Sequence, residues 1–164
     1  MVNNDAECRV YRIRVHWGSV MEKRKVNKSV VIGTIGEDAH IIGGWVLKHT
    51  FQQAGFKVTF LGAMVPQEDF ISAAIETDAD AILVSSSYGM GPIDCEGMRD
   101  KCVEAGLGDI ILYAGGTIVA PKSMEENWHE VEAHFQEGLG FNRVFKNTVD
   151  AKQCLAFLKA DLEL

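Results

Sequence analysis

The sequence predicts an α/β fold, a doubly wound parallel sheet of five strands with helices on both faces. Three observations predict it. Short aliphatic runs without polar alternation, such as Ser29-Val30-Val31-Ile32 and Ala81-Ile82-Leu83-Val84, read as strands buried on both faces. The longer stretches between them carry helical spacing and are opened by proline or closed by glycine, so the connections are right-handed βαβ crossovers. A third observation is bulk. At 164 residues, 47% hydrophobic and 24% charged, the chain suits one domain with a real core and is too apolar for disorder.

Each element follows in order along the chain. Ser29 to Ile32 is the first strand and runs into Gly33-Thr34-Ile35-Gly36. Ile42 to Ala54 is a predicted helix, with Trp45, Leu47 and Phe51 among its apolar positions, stopped by Gly55. Phe56 to Leu61 is the second strand. Pro66 sits in the first turn of the next helix, which carries Phe70, Ala73, Ala74 and Ile75. Ala81 to Val84 is the third strand and ends in Ser85-Ser86-Ser87. A helix from about Asp94 to Ala105 follows and stops at Gly106. Asp109 to Ala114 is the fourth strand and runs into Gly115-Gly116. Glu125 to Gln136 is a predicted helix, Arg143-Val144-Phe145 a short fifth strand, and Asp150 to Leu162 a closing helix.

Charge narrows the function. Asp and Glu total 23 against 16 Lys and Arg, a net charge of −7, and such a surface repels phosphate backbones. Nucleic acid is therefore not an expected partner. No apolar run is long enough to span a bilayer, so no membrane role is expected either. Cys8, Cys95, Cys102 and Cys154 form no CxxC pair and no disulfide framework, which reads as small core residues in a cytoplasmic chain. Cys95 and Cys102, a heptad apart on one predicted helix, should share a face.

The first 27 residues differ in character and are expected to be an extension ahead of a domain spanning 28–164. Arg9, Arg12 and Arg14 lie among Val10, Tyr11, Ile13 and Val15, with no apolar segment or cleavage site of a signal peptide. Three readings stay open: an extra strand, a disordered tail, or a natural start at Met21 ahead of Glu22-Lys23-Arg24-Lys25.

Ligands of doubly wound sheets sit beyond the carboxyl ends of the strands, near the switch in strand order. That directs attention to the loops Gly36 to Gly43, Ser85 to Gly91 and Gly115 to Pro121. In the first, His40 follows Asp38 by two residues. An aspartate that takes the proton of one imidazole nitrogen leaves the other free and more basic, which suits metal ligation. Gly43 and Gly44 would let a bulky group approach the start of the next helix. The plainer alternative is a solvated loop histidine behind an N-cap aspartate. The second loop offers three hydroxyls and the phenol of Tyr88, able to hydrogen-bond a heteroatom at the sheet edge, or simply a turn-forming strand end. The third pairs two glycines where a flat group could lie against backbone. No GxGxxG or Walker motif is complete, so a dinucleotide or nucleoside triphosphate site is not supported. His16 falls in the extension, and His49, His129 and His134 fall on predicted helices away from this edge.

Taken together, Asp38-x-His40-x-x-Gly43, the serines from Ser85 and the Gly115-Gly116 pair resemble the DxHxxG, SxL and GG signatures of cobalamin-binding domains, which have flavodoxin- or Rossmann-like folds. The similarity is closest to the small subunits of glutamate mutases (methylaspartate mutases). It runs from about Met21 to the end and includes Gln67-Glu68-Asp69-Phe70, Ala73-Ala74-Ile75-Glu76-Thr77 and Ile93-Asp94-Cys95.

The resemblance implies adenosylcobalamin as cofactor, with His40 as lower cobalt ligand held by Asp38, and Ser85 bonding the nitrogen of the displaced base in a slot beside the sheet. The implied contacts are Glu37, Asp38, Ala39, His40, Ile41 and Gly43 in the first loop, and Ser85, Ser86 and Ser87 in the second. In the third they are Gly115, Gly116, Thr117, Ile118, Val119, Ala120 and Pro121. Ser87 stands where the family has leucine, which removes one apolar contact. The resemblance further implies a separate large (epsilon) subunit, a TIM barrel that holds the substrate, in a heterotetramer. The implied reaction is radical rearrangement of L-glutamate to threo-3-methylaspartate, with this chain inactive alone. The alternative is a corrinoid carrier for methyl transfer, although such carriers usually have a helical bundle ahead of the domain. A flavodoxin-like electron carrier or a receiver shares the fold class, but a receiver would place a phosphorylatable aspartate where this chain has Ser85.

Overall fold

The computed structural model describes residues 26–164. Five parallel strands, β1 (Ser29–Ile35), β2 (Lys57–Val65), β3 (Ala81–Ser85), β4 (Ile111–Gly115) and β5 (Arg143–Phe145), form one sheet in the order β2-β1-β3-β4-β5. The helices are α1 (Ile42–Gln53), α2 (Gln67–Thr77), α3 (Gly91–Asp94), α4 (Met98–Glu104), α5 (Pro121–Glu126), α6 (Trp128–Ala133) and α7 (Ala151–Asp161). A π-helical turn, His134–Gly138, extends α6.

Successive residues of the buried strands feed two separate cores, which is why the runs show no polar alternation. Val30, Ile32, Ala81, Leu83 and Tyr113 pack with Phe51 of α1 and with Cys154 and Leu158 of α7. Val31, Ile35, Ile82, Val84, Leu112 and Ala114 face Phe70 and Ala74 of α2, Met98 and Cys102 of α4, and Phe135. The chain leaves β1 for β2 at the edge and returns past β1 to β3. The strand order therefore switches between β1 and β3, and the loops after these two strands flank a cleft at their carboxyl ends.

Three predicted elements differ from the observed ones. The second strand continues through Val65, with an irregular register against β1 after Ile32 and positive φ at Gly62 (90°) and Met64 (57°). The helix expected from Asp94 to Ala105 is broken into α3 and α4, because Gly97 takes a left-handed conformation with φ 73°. Cys95 thus caps the end of α3 and Cys102 lies on α4 rather than both on one helix, yet both are fully buried in the same core. The helix expected from Glu125 to Gln136 begins at Pro121, breaks at Asn127 and ends in the π-helical turn. Trp45, expected on an apolar helical face, is 52% exposed. Cys8, His16 and the readings of the first 25 residues lie outside the described residues.

Candidate functional site

The first loop leaves β1 through a left-handed Gly36 and is tied to the end of β2 by two backbone bonds. Gly36 N–H donates to Val65 O (3.0 Å) and Met64 N–H to Asp38 O (3.0 Å). This turns the Asp38 side chain inward, where it is fully buried. Its Oδ1 accepts from the His40 backbone N–H (2.9 Å) and lies 2.6 Å from His40 Nδ1, while Oδ2 accepts from Ser87 N–H (2.5 Å). Burial by itself raises the pKa of the Asp38 carboxyl, but the hydrogen bonds from the His40 and Ser87 amides and from the His40 ring outweigh it and hold the group below its ordinary value.

The N-cap alternative for Asp38 does not hold. The N-cap of α1 is Ile41, with no side-chain cap bond. The ionised Asp38 instead assigns the ring proton of His40 to Nδ1, leaving Nε2 as a lone-pair donor. The His40 side chain is 68% exposed at the carboxyl edge of the sheet.

The second and third loops are fastened together by main-chain bonds. Ser86 N–H donates to Gly115 O (3.0 Å), Gly89 N–H to Thr117 O (3.1 Å) and Gly91 N–H to Ile118 O (2.9 Å). Tyr88 joins the second loop to the first: its hydroxyl donates to Asp94 (2.5 Å) and accepts from Glu37 N–H (3.3 Å). Burial, and then Asp94, push the Tyr88 hydroxyl above the usual range, so it stays protonated as a donor. At Gly116 the chain needs glycine for its own sake. Its φ is 107°, and a Cβ there would lie 2.3 Å from Ser86 O.

Beside these loops, between the sheet, α1 and the start of α7, lies a cavity of about 350 Å³, within the ordinary range for small-molecule clefts. Leu83 and Tyr113 of the sheet, Val46 and Leu47 of α1, and Phe145 make its apolar walls. Ser85, Ser87 and Thr117 supply hydroxyls, and Lys146, Asn147 and Asp150 supply polar groups on the β5–α7 side. A Cβ at Gly43 would come within 3.0 Å of Ser85 Oγ, so the absent side chain keeps that hydroxyl open. Cys154 also lines the wall, with its thiol pushed up to about 12 by burial and therefore unreactive near neutral pH.

Of the predicted site residues, Gly43, Ser85, Ser87, Gly115, Gly116 and Thr117 line this cavity. Glu37, Ala39, His40 and Ile41 lie exposed on the adjoining edge, while Asp38 and Ser86 are buried beneath it. Ile118 and Val119 are not brought to the cavity. Both are buried in the core on the other face of the sheet, and Ala120 and Pro121 open α5 at the surface. Sequence reasoning missed the wall from Lys146 to Cys154. Asp150 with Gln153 marks a capping box and hence a helix start, but nothing local says that this helix packs back over β3 and β4.

The family described as B12 binding domain matches residues 28–138. The glutamate mutase sigma subunit of Clostridium tetani is 50% identical over 137 residues, covering 84% of this chain and 97% of that one. The glutamate mutase sigma subunit of Clostridium cochlearium is 49% identical over 137 residues, with the same shares, 84% and 97%. Among solved structures, a cobalamin-binding protein from Desulfitobacterium hafniense superimposes with a TM-score of 0.65, covering 81% of this chain and 58% of that one. Its 19% identity makes that a likeness of fold. Fold and sequence together define a B12-binding domain of the doubly wound, flavodoxin-like class. Within that class, the chain belongs to the family of glutamate mutase sigma subunits.

Proposed function

We propose that this chain is the cobalamin-binding subunit of a two-component, adenosylcobalamin-dependent glutamate mutase. The observation that carries the reading is the chain Ser87 N–H, Asp38, His40 at the mouth of a cleft: a buried carboxylate fixes the ring so that Nε2 faces solvent beside a slot lined by Ser85. The donor set fits the cofactor. Among the described residues no group of three or more His, Cys, Asp or Glu side chains could hold a metal ion. His40 would offer a metal one imidazole nitrogen, Nε2, since Nδ1 is engaged by Asp38, and a single such donor suits cobalt already held by a corrin. The apolar cavity with its open Ser85 hydroxyl suits a flat aromatic base that brings one acceptor nitrogen.

Adenosylcobalamin, when bound, supplies an adenosyl radical through homolysis of its cobalt–carbon bond. The residues of this chain bind and orient. His40 would hold the cobalt through Nε2, with Asp38 fixing the tautomer and orientation of the ring. Ser85 would donate to a nitrogen of the cofactor's base, and Gly43, Gly115 and Gly116 would leave space for the nucleotide tail. Residues 28–164 make up the cobalamin-binding domain, because β5 and α7, beyond the family match at residue 138, supply the far wall of the slot.

The substrate is held elsewhere. Ile41, Ile42, Met64, Met90 and Ile93 expose apolar side chains around the same carboxyl edge, as a face does that is covered in a complex. The covering partner is a large TIM-barrel (epsilon) subunit, in a heterotetramer, that positions L-glutamate for rearrangement to threo-3-methylaspartate, and the chain alone turns nothing over. Titration with adenosylcobalamin, followed by absorbance, should show base-off, histidine-on binding, and His40→Ala should weaken it sharply. Unchanged binding in His40→Ala would overturn the ligation. Adding the large subunit and glutamate should give methylaspartate. Methyl transfer without methylaspartate would favour a corrinoid carrier instead.

A further inference from the structure

Thr34, one residue before the end of β1, carries a hydroxyl that has no use in the protein as folded. The residue is fully buried, and Oγ1 has no hydrogen-bond partner. A threonine hydroxyl packed into a core costs stability unless it is paired, so valine would serve better there. Among the described residues, the other buried side-chain oxygens without partners belong to Ser29, Ser86 and Gln67. Thr34 differs from these in being paired, in strand register, with Ser85. Register neighbours in a parallel pair point to the same face, and here that face is shared with the slot. Ile32 and Leu83, the pair one step earlier on that face, pack in the α1 and α7 core. The opening turn of α1 lies over both hydroxyls: a Cβ at Gly43 would meet Ser85 Oγ at 3.0 Å, and a Cβ at Gly44 would meet Thr34 Oγ1 at 3.5 Å.

We propose that Thr34 is a positioning residue for Ser85, donating its hydroxyl proton to Ser85 Oγ so that the Ser85 O–H is aimed into the slot at the acceptor nitrogen of the aromatic base. The inference rests on the cobalamin reading above and extends it to a residue outside the three loops. A serine hydroxyl has one proton and two acceptor lone pairs. If that proton goes to a ligand nitrogen, the oxygen is free to accept, and Thr34 is the donor placed beside it. The relay pairs the orphaned hydroxyl only when the base is bound, which is how an otherwise destabilising group is retained at a binding site.

The test compares cobalamin with cobinamide, a corrinoid that lacks the nucleotide base, and measures apoprotein stability in the same variants. Thr34→Val should raise the dissociation constant for cobalamin about five- to tenfold, the loss of one net neutral hydrogen bond. Its affinity for cobinamide should not change. The same variant should melt at a higher temperature without ligand, because an unpaired buried hydroxyl is gone. Thr34→Ser should keep wild-type cobalamin affinity, and Thr34→Val should have no further effect in a Ser85→Ala background. Equal weakening towards both corrinoids, unchanged cobalamin affinity, or a lower melting temperature for the Thr34→Val apoprotein would overturn the relay alone. Wild-type protein that binds neither corrinoid would overturn the cofactor reading and the relay with it.

Discussion

A buried carboxylate is tolerated only when its lone pairs are taken up, and Asp38 receives two main-chain amides and one ring nitrogen within 2.9 Å. The side chain therefore organises the apoprotein as well as any ligand. Asp38→Ala leaves the Ser87 amide without its acceptor and frees the His40 ring, so we expect a loss of about 1–3 kcal/mol in chemical denaturation together with weaker cobalamin binding. His40→Ala, whose side chain is mostly exposed, should lower cobalamin affinity while leaving apoprotein stability within about 0.5 kcal/mol. Denaturation and titration of the two variants side by side separate scaffold from ligand. Gly116 is constrained more simply. A methyl group in collision with Ser86 O at a positive φ makes Gly116→Ala destabilising, and a thermal melt that matched wild type would contradict the geometry.

At the scale of elements, α7 is the wall that closes the slot, and it is fixed at both ends. Asp150 and Gln153 form a reciprocal capping box at its start (Gln153 N–H to Asp150 at 2.8 Å), and Asp150→Ala should cost about 1 kcal/mol in denaturation. At its other end Asp161 accepts from Arg143 through two bonds (2.7 and 2.8 Å) and from the hydroxyl of the buried Tyr113. The Arg143 side chain, and then Tyr113, hold the Asp161 carboxyl below its ordinary value despite partial burial. A carboxylate with a depressed folded-state pKa contributes stability that is complete above the unfolded value of about 3.9 and is lost as pH falls through the folded value. Asp161→Asn should therefore be less stable than wild type at pH 7, and the difference should shrink below about pH 4. A difference that held constant from pH 7 to pH 2 would show that the clamp is not ionic. Because α7 carries Ala151 and Cys154 of the slot, the same variant should also bind cobalamin more weakly at neutral pH.

For the whole molecule, binding at a cleft built from β3, β4, β5, α1 and α7 joins elements far apart in the chain on one face of the sheet. Adenosylcobalamin at a hundredfold excess over its dissociation constant should stabilise the fold by about 2.7 kcal/mol, seen as a rise in melting temperature that His40→Ala largely abolishes. Much of this architecture was legible in the amino-acid order. The unalternating runs at Ser29 and Ala81 mark strands buried on both faces, and Asp38, His40 and Ser85 stand out because they follow such runs. The broken helices were not legible. Asp94 to Ala105 has helical spacing, and only its packing on the sheet decides that Gly97 turns left-handed there. The burial of Ile118 and Val119 is not legible for a related reason: a residue close in sequence to a glycine pair can still cross to the other face of the sheet.

Local sequence by itself determined the strands, the carboxyl-edge loops and the Asp38–His40 pair, because strand burial, turn chemistry and a two-residue spacing act between near neighbours. Tertiary structure alone decided three things. They are the Ser87 amide as second support of Asp38, the β5–α7 wall of the slot, and the register that sets Thr34 beside Ser85. Each joins residues far apart in the chain, and such contacts exist only once the strand order β2-β1-β3-β4-β5 has brought the ends of β1, β3 and β4 together.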